Sequence, residues 1–478
     1  MTHVLEAARG AALATSVVLL GYFLLLNGWY LITSLFAFRA LQRYRKRLDT
    51  VRVEELLEGG APPVTLIAPA YNEESTCAES IRALLALEYP AYEIIVVNDG
   101  STDHTLERLT REFALEPSPR APTADLQTER IRGTYRSTRH PELWVIDKEN
   151  GRKADALNAG IVYCRTPLFC AMDADTLLER DALLRVVRPF LEDRDTVATG
   201  GIVRVVNGCT VSGGRVTDVR LPANMLARFQ VLEYLRAFLA GRMGWAALDA
   251  TLIISGAFGL FRRADVVEVG GFARDTVGED MELIVRLHRH FREQRRPYRI
   301  TFIPDPVAWT ECPERTGSLA RQRNRWQRGL TEVLVRHIRM LLNPRYGRIG
   351  LLAFPYYFFL EMLGPAIELA GYVAFVAAAA TGAIDALFAS AFLMVAIGTG
   401  MALSLLAVAL EELSFRRYRR VSDLLRLFGV AFIECLGYRQ LTSWWRIKGL
   451  YAVLRRDKSW GEMERRGFGT TDVTCPSP

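Results

Sequence analysis

No C-x-x-C pairs any of the seven cysteines (Cys77, Cys164, Cys170, Cys209, Cys312, Cys435, Cys475). An odd, scattered set gives neither a disulfide framework nor a thiolate zinc site, and it suits a reducing, cytosolic setting. Histidines number only six, and His104, His288, His290 and His337 read as surface or helix-packing positions. The chain lacks G-x-x-x-x-G-K-[ST], and its Pro69-Ala-Tyr-Asn-Glu-Glu74 turn is not G-x-G-x-x-G. P-loop hydrolysis and dinucleotide redox chemistry are therefore disfavoured. No R-x-x-x-R stretch leads into a β-barrel pattern, which argues against an in-chain cyclic-dinucleotide domain. Charge is scarce too, at 24% of residues against 50% hydrophobic, so disorder is not expected.

The net charge is +7, from 60 Lys+Arg and 53 Asp+Glu over 478 residues. So small an excess matters only where it is concentrated, and no nucleic-acid partner is expected. No charged residue occurs between Arg9 and Arg39, a stretch longer than the roughly 20 apolar residues that cross a bilayer. It ends at Phe36 and Phe38 and meets Arg39, Arg43, Arg45, Lys46 and Arg47, which fits a signal anchor better than a cleaved leader. A second apolar region runs from Ile349 to Leu410, broken near Thr381-Gly-Ala-Ile-Asp385 and followed by Arg416, Arg417, Arg419 and Arg420. Both basic clusters place the intervening chain in the cytoplasm of a bacterial plasma membrane.

The expected organisation is a transmembrane anchor and basic flank over 1–50, a cytoplasmic catalytic domain over 60–345, and a transmembrane hairpin over 346–412. Residues 413–478 would supply interfacial or re-entrant helices and a cytoplasmic tail. Glu361 and Glu368, seven residues apart, share about one helical face. They either face a bundle interior or lie at headgroup level.

Within the cytoplasmic block, Val64–Ala70 and Tyr92–Asp99 are apolar, β-rich runs on either side of a helical stretch, Ser75 to Leu87. Neither run alternates strictly, so the pair predicts a parallel sheet buried on both faces. Leu168–Met172 reads as a third buried strand, and residues 115–140, rich in proline, as a surface excursion. Ligands of such sheets collect at the carboxyl ends of the strands. There the sequence puts Pro69, Tyr71, Asn72 and Glu73, then Asp99-Gly-Ser-Thr-Asp103, then Asp173-Ala-Asp175. Asp173 and Asp175 point the same way in extended backbone and offer hard oxygen ligands, suiting Mg²⁺ or Mn²⁺ with a nucleoside diphosphate rather than Zn²⁺.

Pro69-x-Tyr71-Asn72-Glu73, Asp99-Gly-Ser, Lys153-Ala-Asp-Ala-Leu-Asn158, Asp173-x-Asp175, Gly278-Glu279-Asp280 and Gln322-Arg-Asn-Arg325-Trp326 follow in one order. That order resembles the processive, membrane-embedded family 2 glycosyltransferases, which include cellulose, chitin, hyaluronan and bacterial poly-N-acetylglucosamine synthases. The last branch is the most similar, although its members often have two N-terminal spans and one is read here. The resemblance implies an α/β fold, a cytoplasmic GT-A (Rossmann-like) domain inserted between transmembrane helices. It implies an inverting transferase that extends a β-linked polysaccharide from a UDP-sugar, foremost UDP-N-acetylglucosamine, and threads it through its own helices. Its partners would be the donor, the growing polysaccharide, membrane lipid and accessory export subunits. The other reading is a non-processive transferase serving a lipid or short acceptor.

The resemblance also implies residue roles. Pro69, Tyr71, Glu73 and Asp99 hold the uridine, Lys153 contacts the diphosphate, and Asp173 and Asp175 anchor metal and nucleotide. Asp280 is the general base, Arg325 clamps the pyrophosphate, and Gln322 and Trp326 meet the acceptor. Taken alone, Glu279 and Asp280 could merely favour a helix N-terminus, and Trp326 could be a membrane-interface anchor. Many relatives carry Cys near Ser255-Gly256-Ala257-Phe258; this chain does not, and the contacts of that stretch stay unassigned.

Overall fold

The computed structural model describes residues 2–455 apart from 51, 52, 59, 416 and 419. The expected tail beyond Arg455 and the basic positions Arg416 and Arg419 lie outside the described residues.

The strands are β1 (Val64–Ala70), β2 (Tyr92–Asp99), β3 (Leu115–Pro117), β4 (Ile131–Ser137), β5 (Leu143–Lys148), β6 (Leu168–Met172), β7 (Leu177–Leu178), β8 (Thr196–Val205), β9 (Thr210–Ser212), β10 (Arg215–Asp218), β11 (Phe258–Arg262) and β12 (Arg299–Thr310). Ten form one sheet in the order β3-β4-β5-β2-β1-β6-β11-β8-β12-β7, and β9 and β10 form a separate hairpin. Residues of β1 alternate between two cores. Val64 and Leu66 join Ile81 and Leu84 on one face, whereas Ile67 joins Ile95, Val97 and Leu157 on the other. Burying a side chain of this size contributes about 1.5–3 kcal/mol, so both faces reward an apolar residue and the run cannot alternate.

Two expectations need correction. The sheet is mixed, not parallel: β5-β2-β1-β6 run parallel, but β11 lies antiparallel between β6 and β8. An apolar run records burial on both faces and carries no information about direction. The 115–140 excursion also contains β3 and β4, which extend the sheet, β4 antiparallel to β5 and β3 antiparallel to β4. Proline is tolerated because Pro117 ends the edge strand, where one face of the backbone has no ladder partner.

Helix Arg152–Tyr163 presses so closely on β1 that a Cβ at Gly160 would collide with Ile67. That contact carries the helix's first turn, with Lys153, to the carboxyl ends of the strands. Helix Glu279–Gln294 begins at the same edge, and helix Thr316–Arg336 follows β12.

Two helices are long and apolar enough to cross a membrane, Arg9–Leu48 and Ala386–Ser414, and a third candidate is the pair Ile349–Met362 and Gly364–Ala380, bent by 46°. The turn between the last two candidates falls where Gly382 and Asp385 were read as its signal; Asp385 accepts a 2.7 Å bond from the Phe388 N–H and caps the following helix. Glu361 and Glu368 face the helix bundle. Glu361 accepts from Tyr30 (2.9 Å) and Tyr356 (3.0 Å), and Glu368 accepts from Ser443 (3.1 Å). Both carboxylates therefore accept from a hydroxyl of a neighbouring helix.

His288 is buried in helix Glu279–Gln294, 2% exposed, between the Tyr298 hydroxyl and the Thr251 carbonyl, each 2.8 Å away. Burial pushes its imidazole down to about 4. A depressed folded value favours the neutral ring, so the stability it confers is present above the unfolded value and is lost as pH falls toward 4. The difference in unfolding free energy between wild type and the non-titrating His288→Gln should therefore shrink by roughly 3 kcal/mol between pH 7 and pH 4. Thermal melts across that range check this, and a constant difference contradicts it.

Candidate active site

The loops after β1 and β2 are interlocked. Asn72, at φ 54°, accepts from the Thr102 N–H (2.8 Å), and its own N–H donates to Ser101 Oγ (3.0 Å). Asparagine tolerates this left-handed conformation because its short side chain bonds locally. Tyr71 is half exposed beside it, as a ring free to meet a ligand would be. Pro69 lies at the same strand end, partly buried. Glu73 behaves differently from the expectation of a ligand contact: it is buried, and its Oε2 accepts from Thr76 Oγ1 at 2.6 Å. Asp99 Oδ1 accepts from Lys148 Nζ (2.5 Å) and the Gly151 N–H (3.0 Å).

A second cluster lies at the ends of β6 and β11. Lys153 Nζ is ion-paired with Asp173, lies 3.7 Å from Glu279 and donates to the Gly256 carbonyl at 3.1 Å. Asp280 Oδ2 accepts from the Gly256 N–H (3.0 Å), and its Oδ1 accepts from the Met281 N–H (2.8 Å). Gly256 thus touches both Lys153 and Asp280. A Cβ there would sit 2.9 Å from Lys153 Nζ and 3.4 Å from Asp280 Oδ2. Burial opposes the charge on Lys153, but Asp173 and Glu279 outweigh it and hold the ammonium above its ordinary value. Burial raises Glu279 well above the usual carboxylate range, Lys153 opposing and Asp280 adding to the rise. Asp175 is raised likewise by burial and by Asp173.

Asp173 and Asp175 fit a divalent cation on this evidence. Two hard oxygen donors repel one another in a partly desolvated site, a strain that such a cation relieves. Among the described residues no group of three or more His, Cys, Asp or Glu could hold a metal by itself.

The third part of the site is the Thr316–Arg336 helix. Gln322 is buried with its Oε1 unpartnered, Arg325 is half-buried, and Trp326 is 44% exposed with the Arg323 guanidinium 4.5 Å above its ring. Gly329 and Gly278 pack backbone to backbone, and a Cβ on either would lie 2.9 Å from the other's Cα. This crossing sets Glu279 and Asp280 against the helix that carries Arg325. On the far side of that helix, Gly449 packs against Asn324, and Arg446 donates to Gln327 Oε1 at 2.8 Å. Sequence reasoning missed Lys148, Glu279, Gly256 and Gly329 as site residues. Glu279 had a signal in its place beside Asp280, whereas nothing in the local sequence marks Lys148.

A mixed sheet with interlocked loops and paired acids at its strand ends, plus a further acid opening a helix, defines a GT-A-like glycosyltransferase domain. Residues 62–329 match the family described as glycosyltransferase like family 2. The chain belongs to glycosyltransferase family 2. Poly-beta-1,6-N-acetyl-D-glucosamine synthase of Staphylococcus aureus (strain COL) is 28% identical over 321 residues, 66% of this chain and 66% of that protein. The protein of the same name from Staphylococcus epidermidis is 27% identical over 320 residues, with the same shares. The chain thus spans about two thirds, 66%, of the length of these curated relatives. Among solved structures, a mannosyltransferase, PcManGT from Pyrobaculum calidifontis in complex with GDP-Man and Mn²⁺, superposes with TM-score 0.50 at 22% identity. It covers 87% of this chain and 99% of its own, and it establishes the fold.

The Gly278–Gly329 crossing leaves no room for a side chain, and overpacking of this kind costs about 1–3 kcal/mol. Gly329→Val should lower the turnover number at least tenfold while donor affinity changes less than threefold. Comparing turnover with nucleotide affinity by titration checks this; unchanged turnover contradicts it.

Proposed function

We propose that this protein is an inverting, processive transferase that polymerises a β-linked polysaccharide from a UDP-sugar, with UDP-N-acetylglucosamine the leading donor. The observation that carries the reading is the convergence at Gly256, where Lys153 and Asp280 meet beside Asp173. A phosphate-seeking ammonium and a carboxylate able to take a proton lie on two sides of one backbone unit. Resemblance to the poly-N-acetylglucosamine synthases supports the choice of sugar.

Tyr71, Pro69 and Asp99 hold the uridine, with Glu73 bracing that loop through Thr76. Lys153 leaves Asp173 for the diphosphate when donor enters, and Arg325 neutralises the leaving group with a planar, bidentate donor. Asp173 and Asp175 hold Mg²⁺ or Mn²⁺, which supplies charge neutralisation at the diphosphate. Asp280 accepts the proton of the acceptor hydroxyl as that oxygen attacks C1 of the sugar opposite UDP, a contribution of about 10²–10⁴ in rate. A single displacement inverts the anomeric centre, so an α-linked donor gives a β-linked product. Gln322 and the exposed face of Trp326 bear on the acceptor sugar.

The reading extends to the membrane. Residues 1–50 anchor the chain, 60–345 form the cytoplasmic catalytic domain, 346–412 a transmembrane hairpin, and 413–478 interfacial helices and tail at a bacterial plasma membrane. Lipid and accessory export subunits complete the assembly, and the growing polymer passes along the helices.

Asp280→Asn should reduce UDP release by about 10²–10⁴ with UDP affinity kept within a few-fold. Chelation should stop turnover, and Mg²⁺ or Mn²⁺ should restore it. Wild-type product resolved on gels should form long chains at low conversion; single additions at saturating donor would favour transfer to a lipid or short acceptor instead.

A further inference from the structure

Lys148 is wholly enclosed, at 0% exposure, at the end of β5. The parallel register of β2 and β5 sets it opposite Asp99. Its three ammonium protons are all engaged, by Asp99 Oδ1 at 2.5 Å, Asp155 Oδ1 at 2.6 Å and the Glu149 carbonyl at 2.5 Å. No proton remains for a ligand, so Lys148 acts only through the groups that it holds.

Asp155 is itself over-determined. Its oxygens accept from the Glu129 N–H at 3.1 Å, and Arg274 Nε approaches Oδ2 to 2.8 Å. The loops around the pair are closed by glycine: Gly100, at φ +67°, lies so near Asn150 that a Cβ would come within 2.6 Å of its backbone nitrogen. Asn150 Nδ2 in turn donates to the Asp99 carbonyl at 2.8 Å. Asp99 therefore cannot rotate freely. Its Oδ1 has two donors, and its Oδ2 has none among the described residues.

We propose that Lys148, steadied by Asp155, sets the base preference of the donor pocket by holding Asp99 ionised, with one acceptor oxygen left for the ligand. The inference rests on the reading of Asp99 as the contact to the donor base. A fixed carboxylate oxygen requires a donor opposite it. Uracil and guanine present a ring N–H at the relevant edge, whereas cytosine and adenine present an unprotonated ring nitrogen, which is an acceptor. Two acceptors facing each other in a desolvated pocket leave both unpaired, a difference that discriminates strongly. Burial alone favours the protonated carboxyl, and a protonated Asp99 would offer an O–H and suit cytosine instead. Lys148 opposes that reversal without touching the base, which makes it a positioning residue.

The test uses the full-length protein in detergent with Mg²⁺ and measures affinities for UDP, GDP, CDP and ADP by calorimetry. Wild type should bind UDP or GDP at least tenfold more tightly than CDP and ADP. Lys148→Met should weaken UDP ten- to a hundredfold while leaving CDP unchanged or tighter, and Lys148→Arg should retain the wild-type order. Where Lys148→Met does not fold, Lys148→Met with Asp155→Leu removes one charge of each sign and carries the same comparison. A parallel loss for all four nucleotides, or a wild type that separates neither UDP nor GDP from CDP, overturns the proposal. A wild type that binds no nucleoside diphosphate overturns the donor-site reading itself.

Discussion

Five acidic side chains, Asp99, Asp173, Asp175, Glu279 and Asp280, are gathered at one edge of a sheet, and two lysines from neighbouring positions on the chain hold this charge in place. Lys148 ends β5 and Lys153 lies in the first turn of the following helix, with residues 149–151 joining the two elements. Without these cations, several partly desolvated carboxylates would repel one another and take up protons. Their arrangement separates two functions. The enclosed ammonium of Lys148 has its bonds fixed within the protein, whereas that of Lys153 sits between Asp173 and Glu279 at the strand ends. The rest of the fold supports that five-residue interval: β1 buries both faces, and Gly160 lets the helix approach it closely enough to place Lys153 at the strand ends.

The catalytic edge is joined to the apolar helices through tight backbone contact. Gly278 meets Gly329 on one side of helix Thr316–Arg336, and Gly449 meets Asn324 on the other. Arg446 extends the link, bonding Gln327 and the Glu361 carbonyl at 2.8 and 2.6 Å. The Glu361 carboxylate of the bent helix pair thereby belongs to the same polar system as helix Thr316–Arg336. Buried polar networks of this sort are costly when half satisfied, and here the Glu361 carboxylate receives two hydroxyls as well as the approach of Arg446.

Much of this was legible in the sequence because strand ends in an open α/β sheet announce themselves. An apolar run that stops at Asn-Asp-Gly or Met-Asp-Ala-Asp states where burial ends and polar chemistry begins. The motif order then implied the family, and the family match bears that out. What could not be read was direction and distance. β11 is apolar like its neighbours, so its antiparallel course left no trace. Glycines at 278 and 329 look like ordinary helix-edge residues until their backbones are seen to touch. Lys148 carries no mark in its local sequence, and only the β2–β5 register reveals the carboxylate across from it. Glu73 shows the converse: its motif membership suggested a ligand contact, but its carboxylate turns inward to Thr76.

The helix Thr316–Arg336 is gripped by glycine contacts from both sides, which makes it shared property of two parts of the chain. A chimera that exchanged the Tyr438–Leu454 segment between relatives, leaving this helix behind, would confront each surface with a partner shaped for another. Drift at residue 449 or 278 is thus tied to drift along one central rod, so these distant stretches should be inherited together, as a unit that recombination seldom divides.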